Sequence, residues 1–252
     1  MGGRGGSSGG GSSAKKTVAT PIAPIKPSVT QEVQKGQNNT FMSLSDDEKA
    51  AMIENVHNQS VPVFLADNDF QKLTYSISEK DMPKLVSDAA LDKTAGTEMF
   101  RTVNGVKDTR HGISYDADMI AAQIQKGSVT RVSDSGGSYY GRGIYFADNY
   151  RDSVGYGKSG VGVKSSAVVR AKLDPTAKTI SYSKAINLTN AEIKSGSKLG
   201  KALAKCDSAS RVSIYALSKG YSALTDSSYI NILRRNALVM SSDIKAVGTR
   251  WR

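Results

Sequence analysis

The sequence predicts an α+β fold, in which short strands form the sheets and helices are gathered in separate blocks. Two observations predict it. The strand-like segments are short and mostly separated by turn-forming residues, as in hairpins. The helical patterns are concentrated before residue 95 and between residues 184 and 220, instead of alternating with single strands as they would in a doubly wound sheet.

Residues 1–40 are expected to form a disordered tail. The segment is rich in glycine and serine and contains Pro21, Pro24 and Pro27. It offers little apolar surface for burial, so it cannot offset the entropy that folding would cost.

Residues 41–95 are expected to form a small helical subdomain that packs against the strands. Ser45 followed by Glu48 is a capping-box pattern that predicts a helix start, and apolar residues continue with helical spacing. A second helix is predicted from Asp67 or Asn68. A third is predicted to run through Met82, Leu85, Val86 and Ala90.

Residues 96–252 are expected to form the main domain. The alternation over Met99–Val103 predicts a strand, which ends at the turn dipeptide Asn104-Gly105. Asp116–Gly127 predicts a helix that is capped by an aspartate and ended by a glycine. The other predicted strands are Ser128–Ser133, Arg142–Ala147, Ala167–Leu173, Thr179–Tyr182, Tyr221–Thr225, Tyr229–Leu233 and Ala237–Met240.

The segment Lys184–Gly220 is predicted to be mostly helical, with breaks at Gly196 and Gly200. The single cysteine, Cys206, lies within this segment and is expected to be a structural thiol. One cysteine cannot form an internal disulfide, which indicates a reducing compartment. With only two histidines in the chain, a zinc site is not expected.

The charge balance favours contact with phosphates, because the net charge is +11 and the pI is near 9.6. The basic residues are spread along the chain, however, and no zinc-finger, RNP or basic-zipper pattern accompanies them. Such a charge gives salt-sensitive, non-specific attraction to polyanions and equally suits an enzyme that binds an anionic dinucleotide. No apolar run of about 18 residues is present, so neither a membrane span nor a membrane partner is expected.

The segment Gly136–Gly157, GGSYYGRGIYFADNYRDSVGYG, has the composition of a ligand site. Tyrosine rings provide faces on which a flat, positively charged heterocycle such as oxidised nicotinamide can stack. Glycines allow the backbone to approach a ligand closely. A core strand that follows a tight turn is the structural alternative, since buried tyrosines are common.

The run GRGIYFAD at residues 141–148, followed by Tyr156-Gly157, resembles the donor-loop segment of the ADP-ribosyltransferase superfamily and is most similar to its poly(ADP-ribose) polymerase-like branch. A looser similarity extends from Thr97 to the end of the chain. The resemblance implies a split, two-sheet form of the α+β fold, with the donor in the cleft between the sheets. It also implies NAD as substrate and a mono-ADP-ribosyltransferase activity that releases nicotinamide.

The resemblance also implies roles for individual residues. Arg101, in a Phe100-Arg101 pattern similar to that of the toxin-like branch, is expected to bind the phosphates or ribose of NAD, because a buried guanidinium needs an anion. The alternative is an arginine that points to solvent, and His111 is a rival for the donor contact. Thr102 is expected to pair with the carboxamide through its backbone. The other implied donor-site residues are Tyr140, Gly143, Tyr145 and Tyr156, of which Tyr145 is also expected to be catalytic.

The resemblance is incomplete at the catalytic carboxylate. The family has a glutamate at the start of a late strand, where this sequence has Ser228. Asp226 is the nearest carboxylate and is therefore the third expected catalytic residue, with Arg101 and Tyr145. The missing glutamate argues against polymer elongation and favours a different acceptor, weak activity or none.

Three functions are compared. The first is NAD-dependent mono-ADP-ribosyl transfer to a macromolecular acceptor, a protein or, as the alternative, a nucleic acid. The second is a catalytically inactive protein of the same fold with a structural or interaction role, for example in a virion. The third is a basic nucleic-acid-binding protein.

A glycine-rich leader before such a domain is similar to phage-borne transferases, so the expected location is the cytoplasm, with virion or capsid association as the alternative. No metal is implied.

Overall fold

The fold comes from a computed structural model, which describes residues 41–58, 82–108, 113–126, 141–157 and 166–248. All of these belong to one compact unit, residues 38–252. Within these ranges no helix is both long enough and apolar enough to cross a bilayer. Several predicted features lie outside the described residues, namely the tail at 1–40, the second predicted helix, the strand at Ser128–Ser133, His111 and Tyr140.

The described residues combine seven α-helices with a set of short strands, which is consistent with the predicted α+β class. The helices are α1 (Asp46–Asn58), α2 (Asp88–Asp92), α3 (Ala117–Gln125), α4 (Tyr150–Gly157), α5 (Tyr182–Ser195), α6 (Lys198–Lys205) and α7 (Ser208–Ser218). The strands are β1 (Lys84–Val86), β2 (Glu98–Asn104), β3 (Val106–Asp108), β4 (Ile113–Tyr115), β5 (Ile144–Ala147), β6 (Ser166–Leu173), β7 (Thr179–Ser181), β8 (Ala223–Thr225), β9 (Tyr229–Ile232), β10 (Leu238–Ser241) and β11 (Lys245–Ala246).

The strands form one mixed sheet in the order β1-β10-β6-β2-β5-β9-β8-β7, with β11 paired to β6, while β3 and β4 pair separately. Near the centre, β2 and β6 stay in antiparallel register from Glu98↔Lys172 to Asn104↔Ser166. Between β2 and β5, by contrast, the only paired residues are Phe100↔Ala147. The ladder between these neighbouring strands of one sheet is therefore limited to a single pair, and the place beside that pair, where the main-chain pairing ends, is called here the opening.

Apolar side chains cover one face of the sheet centre and pack it against α3. This group, called here the α3 core, includes Met99 and Val103 of β2, Ile120 and Ile124 of α3, Ile144 and Phe146 of β5, and Ile230 and Ile232 of β9. The other face of β2 is covered by α4, because the ring of Phe100 meets that of Tyr150 edge-on with centroids 5.8 Å apart. The centre of the sheet is thus a layer between two helices.

A second core packs α1 against α5, α6 and α7. Most residues of α7 are buried, which makes this helix the centre of its layer. Its first turn is capped by Asp207, whose side chain accepts hydrogen bonds from the N–H groups of Ala209 and Ser210. A buried, capped helix is a rigid support for the β8–β9 half of the sheet.

Most of the predicted strands are confirmed, but the third predicted helix is wrong over Lys84–Val86. These residues form β1, and only Asp88–Asp92 are helical. The parallel register Lys84↔Val239 ties β1 to β10 from a distant part of the chain. Long-range pairing of this kind overrides a local apolar pattern that is compatible with either structure.

The two glycines predicted as helix breaks have different outcomes. Gly196 ends α5 in the left-handed conformation, with φ of 70°, as predicted. Gly200 does not break the helical segment but lies inside α6. A Cβ at Gly200 would come closer than 3.0 Å to the carbonyl oxygen of Glu192, so glycine is needed there for the close contact between α5 and α6.

Candidate functional site

Arg101 and Tyr145 meet where the sheet opens. Arg101 lies on β2, and its Nη1 donates a hydrogen bond to the carbonyl oxygen of Tyr145 on β5 over 2.7 Å. Because the main-chain pairing of these strands is limited to Phe100↔Ala147, this side-chain bond joins them where the ladder has ended. Two residues that the sequence assigns to one donor site, 44 positions apart, are in contact.

The guanidinium of Arg101 is a buried cation. Its Nε is buried and has no hydrogen-bond partner among the described residues, although the residue as a whole is half-buried. Burial lowers the pKa of Arg101 from its ordinary value to about 10, so the group remains charged at neutral pH. Within the described ranges, no carboxylate lies within ion-pair distance of it, and its hydrogen bond there is the one to the carbonyl oxygen of Tyr145.

Arg101 and the ring of Tyr145 leave the sheet on opposite faces. Along β2, Arg101 projects to the same side as Met99 of the α3 core, because side chains alternate along a strand. Along β5, Tyr145 lies between two residues of that same core, Ile144 and Phe146, so its ring projects to the α4 side. This explains why Arg101 bonds the backbone of Tyr145. Arg101 and the Tyr145 ring therefore do not share one face of the sheet, although the two residues are joined through the backbone.

The α4 side of the opening carries a pair of hydroxyl groups. Thr102 Oγ1 and Ser153 Oγ lie 2.9 Å apart and share a hydrogen bond between β2 and α4. Ser153 is almost fully buried, with 3% of its surface exposed. Tyr156, the other predicted stacking residue, belongs to the same helix. By the alternation of side chains along each strand, Thr102 and the ring of Tyr145 project to this same face of the sheet.

The turn that precedes β5, residues 141–143, is held tightly. The hydroxyl of Tyr145 donates a hydrogen bond to the carbonyl oxygen of Gly141. A Cβ at Gly143 would come closer than 3.0 Å to Oδ1 of Asn231, a residue only 1% exposed. Glycine at 143 therefore serves the close packing of the turn on β9, whatever role it has toward a ligand.

Asp226, the predicted catalytic carboxylate, is exposed in the turn between β8 and β9. Its N–H donates to the carbonyl oxygen of Tyr229 over 2.9 Å. The N–H of Asp148 donates to Ser228 O over 3.3 Å, so Ser228 lies opposite the end of β5. The described contacts of Asp226 stay within the turn, and the structure does not bring it to the two residues at the opening.

Three buried polar residues near the opening had no role in the sequence-based assignment: Ser153, Ser213 and Asn231. Serines that interrupt the apolar pattern of a helix are the sequence signal for the first two. The signal for Asn231 is a single amide between apolar strand residues, Ile230 and Ile232. Polar groups at such positions need internal hydrogen bonds, and that need could have pointed to them.

Comparisons with known proteins add no further assignment. No family model matches the sequence, no curated protein matches it, and no solved structure matches the chain.

Proposed function

We propose that this protein is an NAD-dependent mono-ADP-ribosyltransferase, with the split two-sheet form of the α+β fold. The observation that carries the proposal is the opening between β2 and β5. It is bordered on one side by β5, which forms the IYFA part of the GRGIYFA run, and on the other by Phe100-Arg101 of β2. The donor cleft implied by the family resemblance lies between sheets, and this opening is where such a cleft would form.

The residues at the opening fit the chemical groups of NAD. The face of Tyr145 suits the positively charged nicotinamide ring, and the neutral hydroxyls of Thr102 and Ser153 suit its carboxamide. The buried Nε of Arg101 has no hydrogen-bond partner in the part of the chain that the structure describes, and an anionic oxygen of the donor would supply an acceptor. Each of these groups matches a different part of the same substrate.

The proposed reaction breaks the bond between ribose C1 and the nicotinamide nitrogen. The bonding electrons leave with nicotinamide, which departs neutral. A nucleophile of the acceptor forms the new bond to C1 and gives up its proton to solvent. The transition state places positive charge on the sugar, so a nearby carboxylate would stabilise it. Asp226 is the proposed group. Because it is exposed and its described contacts stay within its own turn, slow transfer is predicted.

The proposal is tested by incubating the full chain with labelled NAD and a macromolecular extract. We expect label on a macromolecule and free nicotinamide in equal amounts, together with a rise in the melting temperature of the protein as NAD is added. If millimolar NAD leaves the melting temperature unchanged and no nicotinamide is released, the proposal is wrong.

A second candidate function is favoured by one observation, the absence of an acidic residue at the start of β9. Ser228 stands there, and Asp226 is exposed in the turn before it. A protein with this site could bind NAD and transfer nothing, acting as a structural or interaction module. Binding of NAD without release of nicotinamide would favour this second function over the first.

A further inference from the structure

We propose that Ser213 is a positioning residue for the donor site, because it fixes the turn Gly141-Arg142-Gly143, called here the GRG turn. Ser213 lies in the middle of α7 and has no exposed surface. The inference rests on the function proposed above, since it is that function which makes the shape of the GRG turn important.

Ser213 satisfies both main-chain groups of one turn residue. Its Oγ accepts a hydrogen bond from the N–H of Arg142 over 2.7 Å and donates one to the carbonyl oxygen of Arg142, also over 2.7 Å. One hydroxyl therefore provides hydrogen bonds to both the N–H and the C=O of Arg142, as a neighbouring strand provides them to a residue in a sheet. Because the hydroxyl is buried, water cannot replace either bond without opening the structure.

The sequence of the turn fits this contact. Gly141 has φ of 84°, and a Cβ there would lie 2.6 Å from Ser213 Oγ, so a side chain would push the turn off α7. Arg142 adds an ionic contact, with its Nε 3.9 Å from an Asp207 carboxylate oxygen. Asp207 is the N-cap of α7. The turn is thus attached to this helix through both backbone and side chain.

The attachment extends to the proposed stacking ring. The hydroxyl of Tyr145 donates to the carbonyl oxygen of Gly141, which belongs to the same peptide group as the Arg142 nitrogen held by Ser213. The orientation of the ring therefore depends on the position of the turn, and the position of the turn depends on a helix that is capped and buried. Ser213 acts on the donor through Tyr145 and makes no catalytic contact itself.

The experiment compares Ser213→Ala and Ser213→Cys with the matched control Ser218→Ala. Ser218 is a buried serine of the same helix, but its hydroxyl donates to the carbonyl oxygen of Tyr215 within that helix. Hydrogen exchange of the Arg142 amide reports on the turn, the melting temperature on the whole fold, and the dissociation constant of NAD on the site.

We expect Ser213→Ala to speed exchange of the Arg142 amide and to weaken NAD binding, each by about tenfold. Ser213→Cys should fall between alanine and wild type, because a thiol keeps the volume but bonds weakly. Ser218→Ala should leave both quantities unchanged. Normal Arg142 exchange in Ser213→Ala would overturn the inference, as would equal effects in Ser218→Ala or unchanged NAD affinity with faster exchange. If the wild type binds no NAD, the proposed function fails separately, while the exchange data still decide whether Ser213 holds the turn.

Discussion

Arg101 Nη1 reaches across the opening of the sheet to Tyr145 O, and this 2.7 Å bond links the two halves beside their last main-chain pair. The bond uses one of the five N–H groups of the guanidinium, and Nε lies buried beside it without a partner among the described residues. Arg101 therefore has two separable duties: it joins β2 to β5, and it presents a charge to whatever enters the opening.

Replacing Arg101 by lysine tests whether a positive charge alone is sufficient at this position. An ammonium keeps the charge but cannot hold Tyr145 O and a second oxygen in the fixed geometry of a guanidinium. We expect Arg101→Lys to weaken NAD binding by at least about tenfold and to abolish label transfer.

The matched control is Arg211→Lys. Nε and Nη2 of Arg211 donate to the carbonyl oxygen of Cys206 over 3.2 Å and 2.6 Å, so this residue is also an arginine on a backbone oxygen. Both variants are compared by the NAD-dependent shift in melting temperature. Equal shifts in melting temperature for Arg101→Lys and wild type would mean that Arg101 does not bind NAD.

Tyr145 allows the ring and the hydroxyl to be tested apart. Tyr145→Ala removes the stacking face and should abolish label transfer. Tyr145→Phe keeps the face but loses the bond to Gly141 O, so we expect a loss of NAD affinity of less than about tenfold.

The control for Tyr145 is Tyr221→Phe, since the ring of Tyr221 contacts Lys178 and packs, partly buried, against the core of the α5–α7 layer. Dissociation constants from titration calorimetry measure all three variants. A Tyr145→Ala protein that is folded and binds NAD normally would contradict the stacking role.

The central strands could be predicted from the sequence because the apolar patterns that specify them are local. Alternation in Met99–Val103 and the apolar run Ala167–Leu173 match β2 and β6, whose register places their apolar side chains in the same core. β1 could not be predicted in this way. Its partner, β10, is far away in the chain, and the apolar residues of a three-residue strand fit a helix equally well.

The candidate site could be predicted only in part. The resemblance brings Arg101 and Tyr145 to one place, and they are in contact. That Arg101 projects to the α3 side and the ring of Tyr145 to the α4 side follows from the single pair Phe100↔Ala147, which no sequence pattern specifies. The role of Ser213 was also hidden, because its partner Arg142 lies 71 positions away.

Two glycines in helices should respond in opposite ways to alanine. In α6, a Cβ at Gly200 would overlap the backbone of Glu192, so Gly200→Ala should lower the free energy of unfolding by about 1–3 kcal/mol. In α4, a Cβ at Gly155 meets nothing within 4 Å, so Gly155→Ala should raise it by up to about 1 kcal/mol through helix propensity. Urea unfolding measures both. A stabilised Gly200→Ala protein would show that α5 and α6 are packed less closely.

The carboxylate of Asp88 should make the stability of the fold depend on pH in the acid range. Burial by itself would raise the pKa of Asp88, but hydrogen bonds from Lys245 and Ser241 and the charges of Lys245 and Arg170 outweigh it, so the pKa lies below its ordinary value of 3.8. A lowered carboxylate pKa stabilises the fold above pH 3.8, and this contribution disappears as the pH falls through the folded-state value.

The free energy of unfolding of Asp88→Asn should therefore be about 1–2 kcal/mol lower than that of the wild type at pH 7. The difference should vanish in strong acid. Asp118→Asn, an exposed position on α3, is the control and should differ little at either pH. Thermal unfolding at several pH values gives the comparison. A loss for Asp88→Asn that is equal at pH 7 and in strong acid would mean that packing, and not charge, is responsible.

The missing carboxylate can be supplied at Ser228. This residue lies opposite the end of β5, through the bond between Asp148 N and Ser228 O, and the family resemblance gives a glutamate at this position. Because a carboxylate there would oppose the positive charge that develops on the sugar, we expect Ser228→Glu to speed nicotinamide release by at least about tenfold. Ser227→Glu adds the same charge at the exposed neighbouring position and should change the rate little, since solvent screens it.

Asp226→Asn completes this comparison in the same turn. If Asp226 is the group that stabilises the sugar in the wild type, its loss should slow nicotinamide release, by less than about tenfold because the carboxylate is exposed. The rate of nicotinamide release at saturating NAD measures Asp226→Asn, Ser228→Glu and Ser227→Glu alike. A gain in Ser227→Glu as large as that in Ser228→Glu would mean that negative charge anywhere on this turn suffices. No gain in Ser228→Glu would mean that the turn does not face the reacting carbon, and the catalytic assignment of Asp226 would then be lost with it.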